Sequence, residues 1–545
     1  MAAEGASSGV PGDTGGGSDA RVGTTASGAV SAVQGAQHFD IDEFEVQGAE
    51  TLPQIEIEDA IYPFMGPNKT SDDVAKAREA LEKAYHEKGY QAVSVSIPPQ
   101  NVERGIVVLK VSELKVGRLR VAKSRYFDQE NIKDHAQSVK EGVVPNFNGI
   151  TKDIVGLNQW PDRRVTPALR AGTAPGTVDV DLNVEDKLPL HASIELNNRQ
   201  SPDTTPTRLN ASVRYDNLWQ LGHSLSVSFQ TAPERPDDAE VYSGSYLARS
   251  LGNDWLSLLA YGVKTRSDIT TIGGINVLGP GEIIGARAIA TLPSLDGFFH
   301  SVSVGVDYKR FDQQVRLGGD AFSSPITYFP IVANYNASWP REGALTQLNA
   351  GVTWGTRGLG SGPENFDARR AFAEANFIYV RADLAHTHDL PEGFQLYGKL
   401  QGQLADQPLV SNEQFSIGGL DTVRGYLESE AVGDNGLVGT IELRSPDIAA
   451  ALQKAVGSET ADAGSKEKLI SEWRFFAFAD AGEVNIRSPL PEQESVFELW
   501  SYGVGMNFKM FDHLNGSVVL ARPNVDQDGT VAGQERVHFR VWGDF

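Results

Sequence analysis

From about Leu188 to the final Phe545, apolar residues alternate with small or polar ones in runs of about ten residues. No other feature constrains the fold as strongly. Leu209, Ala211, Val213 and Tyr215 alternate with Arg208, Asn210, Ser212 and Arg214, and Leu225, Val227 and Phe229 with Ser224, Ser226 and Ser228. Trp500, Tyr502, Val504, Met506 and Phe508 alternate with Ser501, Gly503, Gly505, Asn507 and Lys509. The last run, Val537, Phe539, Val541, Gly543 and Phe545, carries the pattern to an aromatic terminus. A soluble sandwich also has one apolar face, so alternation alone leaves two folds open. Connection lengths separate them. Short turns such as Asp216 to Leu221 alternate with longer Gly-, Pro- and Asp-rich loops such as Arg266 to Glu282, the asymmetry of outer-membrane barrels. Tyr242, Tyr246, Trp255 and Trp354 near strand ends fit an interfacial aromatic girdle. No run of about 18 apolar residues occurs, so a helical span is not expected and a closed barrel is the spanning fold that remains. The reading is an all-β transmembrane barrel of about 16 antiparallel strands over 188–545.

The chain ahead of the barrel has a different texture. Residues 1–37, rich in Gly, Ala and Ser, read as a disordered segment and not as a signal peptide, having neither a basic start nor an apolar stretch. Two small α/β units follow, over 38–115 and 116–187. In the first, Phe44 and Val46 lie in a strand ending at Gly48, and Thr70 or Ser71 caps a helix with Asp72 and Asp73 in its first turn. Val74, Ala77, Leu81 and Ala84 supply that helix's buried face, and Lys88 and Gly89 end it. The second unit has helical stretches between Gln129 and Leu157 and a strand through Val178, Val180, Leu182 and Val184.

Composition narrows the chemistry. A net charge of −23 without any basic stripe argues against nucleic-acid binding. The absence of cysteine removes disulfides, thiolate nucleophiles and Cys-ligated metals. The one Gly-x-Ser-x-Gly run, Gly5 to Gly9, falls in the Gly/Ala/Ser-rich leader and not between a strand and a helix as a nucleophile elbow would, and no Walker-type loop is present. His223, His386 and His513 lack metal-ligand spacing. No catalytic residue, cofactor or metal is therefore expected.

Two local motifs stand out within the barrel. Val423, Arg424, Gly425 and Tyr426 read VRGY within a long segment near 406–435, which strand counting makes the sixth outward loop. Phe476, Phe478, Asp480 and Gly482 read F-x-F-x-D-x-G in the strand after next. With tandem α/β units in front, these motifs resemble the outer-membrane polypeptide-transport barrels whose periplasmic units are called POTRA domains. Within that superfamily the chain is most similar to the two-partner secretion transporters, or hemolysin secretion/activation proteins. Two units rather than three or five point there, as do Tyr85, Gly89 and Tyr90 followed by Pro98, Pro99 and Gln100.

The resemblance implies a type V transporter in the outer membrane of a Gram-negative bacterium, with its POTRA domains in the periplasm. It would recognise a large unfolded exoprotein there and secrete it without ATP. An edge strand of a POTRA domain could accept an extended cargo segment. Outer-membrane lipid and lipopolysaccharide would surround the barrel, and the barrel-assembly machinery would insert it. The alternative within the superfamily is an assembly factor that inserts other barrels. The resemblance further implies that the VRGY loop folds into the lumen and that Arg424 pairs with Asp480. Parity is consistent with this, because a charged Asp480 belongs on the inner face and carries Phe476 and Phe478 inward with it. Such a pair contributes about 1.5 to 3 kcal/mol where water is partly excluded. Glu442, also inward by parity, is a competing partner, and the pair could either act in export or simply brace the barrel. Two departures from the family are the long, partly helix-like inward connection 445–471 and the lack of a counterpart for a plug helix in residues 1–37.

Overall fold

The computed structural model describes residues 38–102, 104–249, 255–266, 269–272, 275–278, 280–295, 297–317, 320–455 and 469–545. The segment 1–37, with the readings of disorder and of a missing plug helix, lies outside them. The chain divides into two compact units, one up to Leu114 and one from Lys115 to Phe545.

The first unit pairs strand Glu43–Gln47 in parallel with Ile106–Glu113, which pairs antiparallel with Val93–Ser96. Gly48 ends the first of these strands at φ 81°, and a Cβ there would stand 2.6 Å from the Val111 carbonyl oxygen, so only glycine fits. Thr70 is the cap of helix Ser71–Glu87, its N–H and hydroxyl both donating to Asp73 Oδ2 at 2.9 Å. Val74, Ala77 and Leu81 are buried as the spacing predicts. The fourth buried position is Tyr85 and not Ala84, because a step of four keeps the stripe on the sheet. Tyr85 donates its hydroxyl to Glu113 Oε1 at 2.8 Å, and Thr51 N–H donates to the same oxygen at 3.0 Å. Helix Gln54–Ile61 and the short pair Phe39–Ile41 with Gly66–Lys69 had no clear periodicity in the sequence.

The larger unit opens with a second α/β layer. Lys115–Ala122 runs parallel to Thr177–Asp186, whose other side is covered by Arg163–Ala171. Val178, Val180, Leu182 and Val184 point into the core with Ile132, Ile150 and Leu157 from the helices Gln129–Asp134 and Phe147–Leu157. Arg163–Ala171 escaped the sequence reading because it is a polar edge strand holding Pro167, a residue tolerated only where the ladder is open.

The remainder is a closed antiparallel barrel of 16 strands, in which Asp320–Tyr328 and Ile331–Arg341 make up one strand interrupted at Pro330. Closure comes from the last strand, Arg536–Asp544, pairing with the first, Leu190–Asn197. The apolar faces read from the alternation point outward: Val227 is 56 %, Ile441 56 % and Val504 55 % exposed. An apolar band of this extent suits lipid and not water. Tyr242, Trp255 and Trp354 are exposed at strand ends. Outward connections are elaborated, one holding a hairpin of Ile269–Ile272 with Ile275–Leu278 and another the helix Pro363–Arg369. The inward connection after strand Asn435–Arg444 begins with a helix, Ala449–Ala455, and its residues 456–468 lie outside the described set.

Candidate functional site: a loop tied inside the barrel

The sixth outward connection, between strands Gln395–Ala405 and Asn435–Arg444, turns back into the barrel. A small hairpin, Phe415–Ile417 with Ala431–Gly433, gives it internal structure. Its tip carries Val423, Arg424, Gly425 and Tyr426, each buried.

Arg424 makes the central contact. Its Nε and Nη2 donate to Asp480 Oδ2 and Oδ1 at 2.7 and 2.9 Å, and its backbone N–H adds a third bond to Oδ2 at 3.1 Å. Its remaining Nη1 donates to Glu442 Oε2 at 2.8 Å, so the two inward carboxylates share the cation instead of competing for it. Arg444 Nε donates to the other Glu442 oxygen at 2.7 Å, which balances two cations against two carboxylates. Arg424, Glu442 and Asp480 are 7 %, 6 % and 2 % exposed. A bidentate pair this dry depends on its partners: removing one leaves an uncompensated buried charge. The Arg424 guanidinium carbon also sits 3.5 Å from the centre of the Phe478 ring.

The neighbouring residues explain the rest of both motifs. Phe476 and Phe478 lie flat across the next strand, where a Cβ on Gly505 would meet Phe476 Cζ at 2.3 Å and one on Gly503 would meet Phe478 Cζ at 2.8 Å. Gly482 leaves room for both the neighbouring strand and the loop, since its Cβ would stand 3.0 Å from Val438 Cγ2 and 3.3 Å from Val423 Cγ2. Val423 enters an apolar cluster with Phe415, Ile417, Tyr426, Val438 and Val484. Gly425 has φ 95°, and its N–H donates to His538 Nε2 at 2.9 Å on the last strand. The Tyr426 hydroxyl accepts the Val525 N–H at 3.0 Å and lies 3.2 Å from the Trp500 and Val525 carbonyl oxygens.

Three further anchors escaped the sequence reading. Glu413, 2 % exposed, takes Lys309 Nζ and the Tyr328 hydroxyl on Oε1, both at 2.6 Å, and the Tyr379 hydroxyl on Oε2 at 2.8 Å. Asp434 is fully buried and receives both Nη groups of Arg370 at 2.7 Å, along with the N–H groups of Leu409 and Arg487. Arg199 from the first outward loop reaches Glu428 at 2.9 Å and Asp421 at 2.6 Å. Glu413 sits among Ser411, Asn412 and Gln414, so nothing in the local sequence set it apart from an exposed loop acid. Below the loop, a cavity of about 1680 Å³ opens inside the barrel, lined by Ser301, Asn336, Gln347, Asn349 and Gln401 together with Lys152 and Gln159 of the second α/β layer.

Comparison with known proteins agrees with this architecture. Residues 39–113 match the family model for the POTRA domain, ShlB-type, and residues 327–508 match that for haemolysin secretion/activation protein ShlB/FhaC/HecB. The chain is 22 % identical over 359 residues to outer membrane transporter CdiB of Dickeya dadantii (strain 3937), covering 65 % of this chain and 62 % of that protein. It is 20 % identical over 390 residues to heme/hemopexin transporter protein HuxB of Haemophilus influenzae (strain 86-028NP), covering 68 % and 66 %. The matched region thus spans less than two thirds of either relative. Among solved structures, CdiB from Escherichia coli superposes with a TM-score of 0.65 at 18 % identity, over 95 % of this chain and 93 % of that one. The resemblance drawn from the two motifs is borne out, as is the outer-membrane barrel with POTRA structure ahead of it.

Proposed function

We infer, taking kinship with the two-partner secretion transporters as premise, that this chain exports a large exoprotein across the outer membrane through its barrel. The observation that carries this reading is the loop drawn into the lumen and fixed by the buried group of Arg424, Asp480, Glu442 and Arg444. A passive pore has no use for aromatic side chains and a charge-balanced tie inside its channel, whereas a conduit that must stay sealed between passengers does. The cargo enters unfolded from the periplasm and pairs as an extended segment with a free strand edge of an α/β unit. With no nucleotide-binding loop in the sequence, the driving force is assigned to folding or capture of the cargo outside. The role of Arg424 and Asp480 is to hold the loop in the position that export requires. No catalytic step is assigned to the chain.

Deleting the gene and comparing the proteins of the medium and of the outer membrane tests the assignment. Loss of one large exoprotein with other barrels intact supports transport. Broad depletion of outer-membrane barrels would instead identify an assembly factor and overturn it.

A further inference from the structure

A second cluster of ionisable groups lies away from the loop, where the α/β layer of the larger unit meets the barrel. Asp162 is in the turn before strand Arg163–Ala171, His191 in the first barrel strand and Asp216 in the second, Arg208–Leu218. One ligand-capable atom of each lies within 4.8 Å of the others. His191 Nε2 is 2.7 Å from Asp162 Oδ2 and 3.5 Å from Asp216 Oδ2. Asp216 is 1 % exposed, and its two oxygens differ: Arg214 Nε donates to Oδ2 at 2.7 Å, while Oδ1 is buried without a hydrogen-bond partner. A buried carboxylate oxygen with no donor is costly and points to an absent ligand.

We propose that Asp162, His191 and Asp216 form a binding site for one divalent transition-metal ion of the zinc class, which pins the α/β layer to the first two barrel strands. An imidazole with two carboxylates suits zinc, and three protein ligands leave a fourth position for water. Ligands about 2.0–2.1 Å from a tetrahedral ion stand about 3.3 Å apart; loading the site requires His191 and Asp162 to move slightly apart and the Asp216 carboxylate to turn Oδ1 toward them. Arg214 keeps Oδ2 and orients the carboxylate from outside, leaving Oδ1 for the ion. The His191 side chain is 35 % exposed, which gives the ion a path from solvent. Magnesium and calcium are disfavoured because they seek all-oxygen shells.

The position gives the ion leverage. The same joint is made by Asp128 N–H donating to Gln220 at 2.9 Å, by Asn217 Nδ2 donating to the Tyr126 carbonyl at 3.2 Å, and by Trp160 packed where a Cβ on Gly222 would stand 2.7 Å from its ring. These contacts hold the turn after the second strand. The ion would add a tie at the start of the first strand, fixing the α/β layer at two places.

Titration calorimetry on the purified full-length protein, stripped with chelator and folded in detergent, tests the site with zinc chloride, with magnesium chloride as the control. The expected result is one saturable zinc equivalent at micromolar affinity or tighter. His191→Gln and Asp162→Asn should each weaken it by more than about 100-fold, the upper end for losing even an outer partner. Asp162 lies in a turn and outside the barrel wall, so its variant keeps the test open should a barrel variant fail to fold. No saturable zinc binding by the unaltered protein, binding no tighter than magnesium, or unchanged affinity in Asp162→Asn would each overturn the proposal.

Discussion

The two halves of the barrel lumen share one wall and differ in almost everything else. The outer half is packed by the sixth loop, whose carboxylates Glu413 and Asp434 and cation Arg424 all find charged partners on the wall or on neighbouring loops. The inner half is an open cavity where Ser, Asn and Gln side chains mix with the charged Lys152, Asp383 and Lys399 and the apolar Val155, Trp255 and Phe299. The difference teaches how one wall can hold a packed loop at one end and leave room for water at the other. Charge-assisted bonds and aromatic packing hold the loop in place, while the cavity below it stays open to water.

This contrast can be broken most severely at Arg424. Arg424→Ala strands Asp480 as a buried charge and leaves Glu442 with Arg444 alone, costing the latched state about 3–5 kcal/mol. The outer half should then open, and conductance of the purified barrel in planar bilayers should rise; an unchanged conductance would show that the seal rests elsewhere. Gly482→Val acts through volume instead, pressing on Val438 of the adjacent strand and on Val423 of the loop at about 1–3 kcal/mol, and should leave the loop more open to added protease than in the unaltered protein. In the inner half, Asn336→Ala with Gln401→Ala should change stability by less than about 0.5 kcal/mol and leave secretion untouched. Lost secretion there would mean that the cavity wall grips cargo.

The smallest effect lies outside the lumen and serves as a reference. Burial pushes the Glu113 carboxyl up, but hydrogen bonds from Thr51, Glu50 and Tyr85 outweigh this and hold it below the usual carboxylate range. Its contribution is therefore complete above the ordinary glutamate range and lost as pH falls through the depressed value. The protection factor of the Thr51 amide against hydrogen exchange should fall on acidification, and Glu113→Gln should flatten that dependence.

Much of this was legible because strand parity fixes which way each side chain points. Asp480 could be placed inside from Phe475 and Ala477 on the opposite face, and Glu442 from Ile441 and Leu443. Parity does not say how many carboxylates one arginine can serve, so Asp480 and Glu442 read as rivals. Nor does it reach Asp434 and Arg370, which are joined by the fold across two loops without periodicity. Glycine posed a similar difficulty: Gly503 and Gly505 read as polar-face fillers, and only the rings of Phe478 and Phe476 lying over them show why no side chain fits. Asp162, His191 and Asp216 were equally hidden, since their meeting depends on how the α/β layer docks on the barrel.

The central claim is that the tie between Arg424 and Asp480 serves export and not merely barrel integrity. Its most direct test measures the exoprotein released by cells carrying Arg424→Ala or Asp480→Ala, normalised to the amount of folded barrel in the outer membrane. The account predicts that both variants insert normally and secrete much less than the unaltered protein; secretion at the unaltered level in both would contradict it.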